Sequence, residues 1–257
     1  MAALSGKVAI VTGPSAPDGI GRAIARRFAE EGAGVFLVAE GTAGQLAEAA
    51  RECRTLGGNG ARAEHAIYDL AVNGAAEAMV EHAERLFGRI DILVNNAGLR
   101  ARKKFGEFSR DDFNTAVAVN LAAPFFASQS VLPAMRRQGG GRIIHIASQM
   151  GSVTHENRAV YGMTKAGLIH LAKSMAYELA ADDIIVNTIS PGPVLTGHIA
   201  ELIAKTPELG SKRLEYIRAN RFGRPEEIAE LAFFLASTSA TFLMGQDLII
   251  DGGYTTH

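Results

Sequence analysis

Short apolar runs alternate with longer helical segments along all 257 residues of the chain, and this alternation most restricts what it can fold into. Seven runs rich in β-branched residues are predicted strands. Most are continuously apolar, as expected when helices cover both faces of a parallel sheet. They cover residues 7–11, 35–39, 62–68, 90–94, 142–147, 184–189 and 247–250. Helical periodicity covers residues 20–31, 43–56, 73–87, 111–137, 160–181 and 225–236. The pattern predicts one α/β domain over residues 1–257, a Rossmann-type doubly wound sheet of seven parallel strands with helices on both faces.

Local signals refine this prediction at two helix starts and in one long connection. Ser109 followed by Asp112 has the pattern of a capping box, and Pro225 suits a first helical position. Residues 197–220 separate a strand from the last helix and are rich in charged side chains. Because ligands bind beyond the carboxyl ends of parallel strands, this segment is predicted to be a substrate lid. A solvated pair of surface helices is the alternative.

Charge and cysteine content exclude several classes of function. The chain has 26 Lys and Arg against 27 Asp and Glu. It therefore lacks the net positive charge that favours binding to nucleic acid or to an anionic membrane. Its apolar stretches fall short of the ~20 residues that span a bilayer, and we expect no signal peptide. The lone Cys53 excludes an intrachain disulfide, and no His, Asp and Glu cluster has metal-site spacing. We therefore expect a cytoplasmic protein with no metal.

A glycine-rich turn follows the first predicted strand and precedes the first helix. It includes Gly13, Gly19 and Gly21, and glycines here let the backbone turn tightly and let a pyrophosphate approach the helix N-terminus. Conformational glycines are common in such turns, but this position on the first βα connection favours dinucleotide binding.

Two acidic residues at strand ends bear on the choice of cofactor. Glu40 lies 19 residues beyond Gly21, where a carboxylate accepts hydrogen bonds from the adenosine ribose and repels a 2′-phosphate. The turn over residues 14–20 has no Lys or Arg, and Arg22 is expected to lie along the helix. NAD is therefore favoured over NADP. Asp69 is either an acceptor for the adenine amino group or a plain turn residue.

Three further features converge on the carboxyl ends of the central strands. The fourth strand leads into Asn95-Asn96-Ala97-Gly98, and the fifth ends at Ser148. Tyr161 and Lys165 are four residues apart, so they share one face of a predicted helix. Each feature alone is uninformative, but their combination and order form a known pattern.

The chain resembles the short-chain dehydrogenase/reductase family over essentially its whole length. The matching pieces include Gly19-Ile20-Gly21, Asp69, Asn95 to Gly98, Asn120 within Val-Asn-Leu, Ser148 and Tyr161-x-x-x-Lys165, with Ser148 and Tyr161 separated by 13 residues. They continue with Val186-Asn187, Pro191-Gly192-x-Val194-x-Thr196 and Gly245-Gln246…Asp251-Gly252-Gly253.

The resemblance implies an NAD(P)-dependent oxidoreductase acting on a secondary alcohol or ketone. It implies that Tyr161 is the general acid/base, Ser148 orients the substrate carbonyl, Lys165 binds the nicotinamide ribose and Asn120 holds a relay water. A cation one helical turn away stabilises a phenolate, and the Ser148 hydroxyl stabilises charge on the carbonyl oxygen. The expected cofactor contacts are Gly13, Ser15, Gly19, Ile20, Glu40, Asp69, Leu70, Asn96, Ala97, Gly98, Tyr161, Lys165, Pro191, Gly192, Val194 and Thr196.

The glycine turn departs from the family pattern by two extra residues within 14–18, which puts the phosphate contacts there in doubt. Enoyl reductases of the family have a similarly long turn, but their tyrosine and lysine are further apart, so we reject that assignment. Reduction of 3-oxoacyl groups on acyl carrier protein with NADPH stays open as an alternative. The helix ends that would dock the carrier are neutral near Gln138 and acidic at Asp182 and Asp183, although Arg136 and Arg137 remain. A non-catalytic NAD-binding protein is the other alternative.

The sequence indicates less about the rim of the site and the oligomeric state than about the cofactor contacts. The family implies a homotetramer built on helices 111–137 and 160–181 and on the final helix and strand, although Phe125, Phe126, Phe233 and Phe234 fit an internal core equally well. The basic run at 100–104 either attracts an anionic substrate or is a solvated loop, as charge runs usually are. Rim candidates are Arg100, Arg102, Lys103, Lys104, Gln149, Met150, His155, Asn157 and His198.

Overall fold

The computed structural model of the protein describes residues 2–41 and 43–256, except for the side chains of His198, Leu202, Pro207, Leu209 and Arg213. The strands are β1 (Val8–Thr12), β2 (Gly34–Ala39), β3 (Ala63–Ile67), β4 (Ile92–Asn95), β5 (Gly141–Ile146), β6 (Ile184–Pro191) and β7 (Asp247–Ile250). They form one seven-stranded sheet in the order β3-β2-β1-β4-β5-β6-β7, and each adjacent pair is parallel. The predicted fold class is confirmed.

The helices connect these strands on both faces of the sheet. They are α1 (Ile20–Glu30), α2 (Ala43–Gly57), α3 (Ala75–Phe87), α4 (Arg110–Val117), α5 (Ala123–Arg137), α6 (Ala159–Leu179), α7 (Gly197–Lys205), α8 (Pro207–Leu214) and α9 (Pro225–Ser237). The capping box at Ser109 and Asp112 is present, and α9 begins at Pro225, as predicted.

Alternate residues of the central strands face two separate hydrophobic cores. Ala9 and Val11 of β1 pack with α1, α2 and α9, whereas Ile10 packs with α3, α5 and α6 on the opposite face. Because side chains alternate across a strand, a sheet covered on both faces needs apolar residues at every position. This requirement explains the continuously apolar strands.

One predicted helix is interrupted. Residues 111–137 were expected to form a continuous helix, but a π-helical turn at Ala118–Ala122 separates α4 from α5. Such turns occur mostly as single insertions at functional sites, and this one holds Asn120. Other boundaries shift by a few residues; α3, for example, begins at Ala75 because Gly74 has a left-handed φ of 83°.

The segment Arg110–Arg137 is also long and apolar enough to cross a membrane by length and composition alone. Its α5 part packs against α3, and its π turn packs against α6. These helix contacts bury part of its apolar surface inside the fold, whereas Phe125 and Phe126 stay exposed.

His145 of β5 is fully buried beside Asn95 of β4. The Asn95 amide nitrogen lies 3.1 Å from Nδ1 of His145. Burial, and secondarily the charge of Lys165, lowers the His145 pKa to about 3. The folded protein therefore binds fewer protons than the unfolded chain between pH 6.5 and about 3, so His145 lowers stability as the pH falls through this window.

We expect His145→Asn to lose less stability than the wild type on acidification, because Asn offers an oxygen to Asn95 but does not titrate. The difference should be about 2 kcal/mol between pH 6.5 and 4.5, from ~1.4 kcal/mol per pH unit per proton. Urea unfolding at both pH values measures it. Equal losses in the two proteins would show that His145 is protonated in the folded state.

Candidate active site

A cleft opens where the chain changes direction across the sheet. β1 pairs with β2 on one side and with β4 on the other, so the crossovers leave this point in opposite directions. The cleft has a volume of about 420 Å³ and lies at the carboxyl ends of the strands. Ser148 lines it, as do all the residues expected to contact the cofactor: Gly13, Ser15, Gly19, Ile20, Glu40, Asp69, Leu70, Asn96, Ala97, Gly98, Tyr161, Lys165, Pro191, Gly192, Val194 and Thr196.

The glycine turn is held against the turn that follows β4. The Thr12 hydroxyl accepts hydrogen bonds from the backbone N–H groups of Asn96 and Ala97, at 3.0 and 2.9 Å. The Asn96 side chain donates to the Thr12 and Gly13 carbonyls, at 2.8 and 3.2 Å. Only glycine fits at position 13, where φ is +74° and a Cβ would lie 2.9 Å from the Ala97 Cα. These contacts fix the floor of the cleft.

The N-terminus of α1 is open toward the cleft. Its N-cap, Gly19, makes no side-chain cap, and the first turn has no acidic residue. Free N–H groups and the helix dipole at such an end favour an anion, so this end fits a pyrophosphate. In the lengthened turn, Ser15 and Ala16 line the cleft. Asp18 instead reaches the start of α7, since its Oδ2 would lie 3.5 Å from a Cβ at Gly197.

Arg22 does not lie along the helix surface as expected. Its side chain is fully buried beneath the glycine turn, where it bonds to both carboxylate oxygens of Glu52, at 3.0 and 3.1 Å. It also donates to the backbone carbonyls of Gln45 and Pro14, at 3.1 and 3.5 Å. A guanidinium with these partners supports the turn from below and is not available to a cofactor phosphate.

The two acidic strand-end residues differ in their partners. Glu40 is exposed at the cleft edge, and its backbone carbonyl accepts from the Ser15 hydroxyl at 3.5 Å. Asp69 Oδ1 accepts a hydrogen bond from the Ala71 backbone N–H at 2.9 Å. One Asp69 oxygen thus stabilises its own turn, and the carboxylate still lines the cleft.

The far end of the cleft fits a carboxamide-bearing ring. The Thr196 hydroxyl oxygen is buried and has no hydrogen-bond partner among the described residues. A buried polar atom without a partner is costly unless a ligand satisfies it. Gly192 has no room for a side chain, because a Cβ would lie 2.5 Å from the Asp251 Cα. The cleft therefore fits a dinucleotide at both ends.

Ser148, Tyr161 and Lys165 lie together at this end. Ser148 directly precedes a short 3₁₀ turn and its Oγ accepts from the Met150 N–H at 3.2 Å. Lys165 Nζ lies 5.9 Å from the centre of the Tyr161 ring and donates to the Ile146 carbonyl at 2.7 Å. Burial, and secondarily the charge of Arg100, lowers the Lys165 pKa to about 8. An ammonium held here in a low dielectric acts strongly on neighbouring oxygen atoms.

Asn120 lies behind the cleft and does not line it. Its Oδ1 accepts from the Leu99 N–H at 2.7 Å, and its amide nitrogen donates to the Leu99 carbonyl at 2.9 Å and to the Thr164 hydroxyl at 3.1 Å. The side chain thus joins the turn after β4 to the helix that carries Tyr161 and Lys165. The role of Asn120 in holding a water stays a prediction.

A second cavity of about 830 Å³, here called the outer cavity, adjoins the cleft at Ser148 and Tyr161. Ile199, Lys212, Glu215 and Tyr216 contribute to its lining. These residues belong to the segment 197–220 expected to be a lid, in which α7 and α8 form. Of the rim candidates, the outer cavity is lined by Arg100, Arg102, Gln149, Met150 and His155. Lys103, Lys104 and Asn157 are absent from this lining, and the His198 side chain lies outside the described residues.

Sequence reasoning missed several residues of the cleft. They are Ala16, Ala39, Tyr68, Leu99, Val119, Ile146, Ala147 and Gly197. Most are direct chain neighbours of predicted contacts at strand ends, so extending each motif by one residue would have found them. Tyr68 precedes Asp69 in this way, and Leu99 follows Gly98.

Comparisons with known proteins agree with this geometry. A family sequence model described as enoyl-(acyl carrier protein) reductase matches residues 13–255. D-threitol dehydrogenase of Mycolicibacterium smegmatis is 39% identical over 254 residues, covering 98% of this chain and 94% of its own. The 3-oxoacyl-(acyl-carrier-protein) reductase of Aquifex aeolicus is 37% identical over 250 residues, covering 97% and 98%.

A solved structure of 7α-hydroxysteroid dehydrogenase with NADH and 7-oxoglycochenodeoxycholic acid superposes with a TM-score of 0.90. Its identity is 37%, and the match covers 97% of this chain and 94% of that one. The relatives are dehydrogenases and reductases that act on CH–OH groups or the corresponding ketones. The chain therefore belongs to the short-chain dehydrogenase/reductase family and is an oxidoreductase that transfers hydride between a nicotinamide cofactor and an alcohol or ketone.

Proposed function

We propose that the protein is an NAD-preferring dehydrogenase of secondary alcohols in which Tyr161 is the general acid/base. The observation that supports this proposal is that Ser148 and Tyr161 line both the cofactor cleft and the outer cavity, with Lys165 beside Tyr161 in the cleft. A substrate whose reacting carbon lies there faces the cofactor cleft on one side and has the outer cavity for the rest of its skeleton on the other. The bound nicotinamide supplies the hydride acceptor or donor.

Tyr161, Ser148 and Lys165 have different roles in the proton transfer and charge stabilisation that accompany hydride transfer. In oxidation, Tyr161 accepts the hydroxyl proton of the alcohol, and in reduction it returns that proton to the carbonyl oxygen. Ser148 donates a hydrogen bond to the same oxygen as its charge changes. Lys165 favours the phenolate by its positive charge and would bind the nicotinamide ribose. Asn120 joins the turn after β4 to the helix that carries Tyr161 and Lys165.

The NAD preference is supported by the charges along the cleft. Glu40 is exposed at the edge of the cleft, and its carboxylate would oppose a 2′-phosphate at a cost of a few kcal/mol at close range. The described cations that line the cleft are Arg100 and Lys165, and the charge of Arg100 acts on Lys165 at the nicotinamide end. Arg22 is committed to Glu52.

We expect Glu40→Ser to raise kcat/KM for NADP⁺ by roughly 10- to 100-fold and to lower it for NAD⁺ by a few-fold, because the variant removes the repulsion and a ribose acceptor. Glu64→Ser is the matched control, since Glu64 is an exposed carboxylate of β3 outside the cleft lining. A wild type that prefers NADP⁺, or equal effects of the two substitutions, would contradict the role of Glu40.

Reduction of 3-oxoacyl groups on acyl carrier protein receives less support. The two arginines at the end of α5 are already paired, Arg136 with Asp182 at 2.7 Å and Arg137 with Glu84. An acidic carrier protein would have to displace these carboxylates. A non-catalytic NAD-binding role is less supported still, because the chain retains Ser148, Tyr161 and Lys165.

The proposed activity is tested with NAD⁺ and NADP⁺ in parallel wells against secondary alcohols, polyols, sugars and hydroxyacyl thioesters. We expect absorbance of the reduced nicotinamide to appear with NAD⁺ and an alcohol. Turnover confined to thioesters and NADP⁺ would favour the acyl-carrier alternative. NADH binding without turnover in either direction would favour the binding-only alternative.

We further propose a homotetramer. Phe125 and Phe126 of α5 and Phe234 of α9 are exposed in the single chain, whereas Phe233 packs against the core. Exposed aromatic side chains on two separate faces support two self-associating surfaces. Light scattering should give four times the 27.2 kDa mass of the chain. A monomer at micromolar concentration would contradict this.

We also propose a cytoplasmic location. The lone Cys53 is buried, and burial raises its thiol pKa to about 12, so the cysteine is suited to a core and not to disulfide exchange. Fractionation of the cells that produce the protein tests this, and recovery in a secreted or membrane fraction would contradict it.

A further inference from the structure

The outer cavity has a local excess of positive charge. Its described charged lining consists of the cations Arg100, Arg102, Arg158 and Lys212 and the carboxylates Glu156 and Glu215. The chain as a whole has a net charge of −1, so this excess is not a general property of the surface. A cavity lined mainly by one sign of charge concentrates ligands of the opposite sign.

The basic run at 100–104 divides into two groups with different surroundings. Lys103 forms an ion pair with Asp112 at 2.5 Å and, like Lys104, lies outside the cavity lining. Arg100 and Arg102 line the cavity, and neither side chain forms an ion pair or hydrogen bond with the described residues. The loop therefore presents two arginines, which have no partner in the described part of the chain, to the space where a substrate enters.

Two of the arginines lie near the reacting groups. The Arg158 guanidinium lies 5.8 Å from the centre of the Tyr161 ring. Arg100 lines both cavities, and its charge is one cause of the lowered Lys165 pKa. The positive charges of Arg100 and Lys165 repel each other, and an anion bound beside Arg100 would offset this repulsion.

The wall of the outer cavity also contains aromatic rings, which suit the carbon skeleton of a substrate. Tyr216 packs edge-on against His155, with ring centres 6.4 Å apart, and lies 5.8 Å from Tyr254. The faces of such rings pack against the carbon atoms of a substrate, and their polar groups hydrogen-bond to its hydroxyl groups. The volume of about 830 Å³ accommodates more than the reacting carbon and its oxygen.

We infer that the substrate is an anionic secondary alcohol, whose carboxylate or phosphate group is bound in the outer cavity by Arg100, Arg102 and Arg158. This inference rests on the proposed function and adds the substrate class. The anionic group is not changed in the reaction. The carbinol carbon gives its hydride to the cofactor, the hydroxyl proton passes to Tyr161, and a ketone that keeps the anionic group leaves.

The test compares hydroxy acids of increasing length with their uncharged amides, and phosphate monoesters with their parent diols. We expect the wild type to favour the charged member of a pair by at least about tenfold in kcat/KM, because charged hydrogen bonds contribute this much. Arg100→Gln and Arg102→Gln should each remove most of that preference through KM for the charged member. Turnover of the neutral member by Arg102→Gln should change little, because Arg102 lies outside the lining of the cofactor cleft, and Lys104→Gln on the same loop should leave the preference intact. Whether acids or phosphates give the larger ratio identifies the anionic group.

Binding measurements separate the possible failures. Affinity for NADH, measured by its fluorescence, should be unchanged in Arg102→Gln and Lys104→Gln, whose side chains lie outside the cleft lining. Loss of NADH affinity in Arg102→Gln would show that Arg102 acts on the cofactor and would overturn the inference. Equal turnover of charged and neutral alcohols would also overturn it while leaving the proposed function intact. NADH binding without turnover of any alcohol or ketone would overturn both.

Discussion

Replacing Tyr161 by phenylalanine is expected to lower kcat by at least about 10²- to 10⁴-fold, the contribution of a well-placed general acid/base. The variant keeps the aromatic ring beside the Arg158 guanidinium and removes only the hydroxyl group. Affinity for NADH should therefore stay within about threefold of the wild type, a change of less than ~1 kcal/mol. Steady-state turnover and NADH fluorescence titration measure the two quantities.

Tyr177→Phe is the matched control for this variant. Tyr177 lies on the same helix, α6, but is 90% exposed and outside both cavities. Its substitution should leave turnover unchanged. If Tyr161→Phe retained the wild-type rate, another group would be moving the proton, and the assignment of Tyr161 would be wrong.

Replacing Lys165 by methionine is expected to lower kcat/KM by at least about 10²-fold and to weaken NADH binding. The variant removes the ammonium group that lies beside Tyr161 and that we propose binds the nicotinamide ribose, and each charge-assisted hydrogen bond contributes about 1.5–3 kcal/mol. Lys173→Met, an exposed position of the same helix, is the control and should have no effect on either quantity.

The stability of the Lys165 variant distinguishes this role from a structural one. Because the folded-state pKa is about 8 and the ordinary value is 10.5, the unfolded chain binds more protons than the folded protein between these values. The free energy of unfolding of the wild type should therefore rise by up to ~1.4 kcal/mol for each pH unit as the pH is raised through this window. Lys165→Met should lack this rise. A variant that unfolds at neutral pH would show instead that Lys165 is needed for folding.

The parts of the fold and site that the sequence predicted depend on local patterns. Strands buried on both faces read as continuous apolar runs, and the four-residue spacing of Tyr161 and Lys165 places both on one helical face whatever surrounds it. The cleft contacts at strand ends follow from the parallel sheet, because all carboxyl ends meet at one edge.

The parts that were not predicted depend on distant contacts. The π turn at Asn120 accompanies hydrogen bonds to Leu99 and Thr164, which are 21 and 44 residues away along the chain. Arg22 is buried because Glu52, 30 residues further on, folds over the same turn. The separation of Arg100 and Arg102 from Lys103 requires knowing that Asp112 lies beside Lys103. Helical periodicity and charge counts carry none of this information.

The central claim is that hydride moves directly between the carbinol carbon and a nicotinamide bound in the cleft. The most direct measurement uses a secondary alcohol with deuterium on its carbinol carbon, NAD⁺ and the wild-type protein, followed by the mass of the reduced cofactor. We predict that the NADH formed carries one deuterium atom and that little forms with Tyr161→Phe. Reduced cofactor without deuterium, or with equal yield from Tyr161→Phe, would contradict the account.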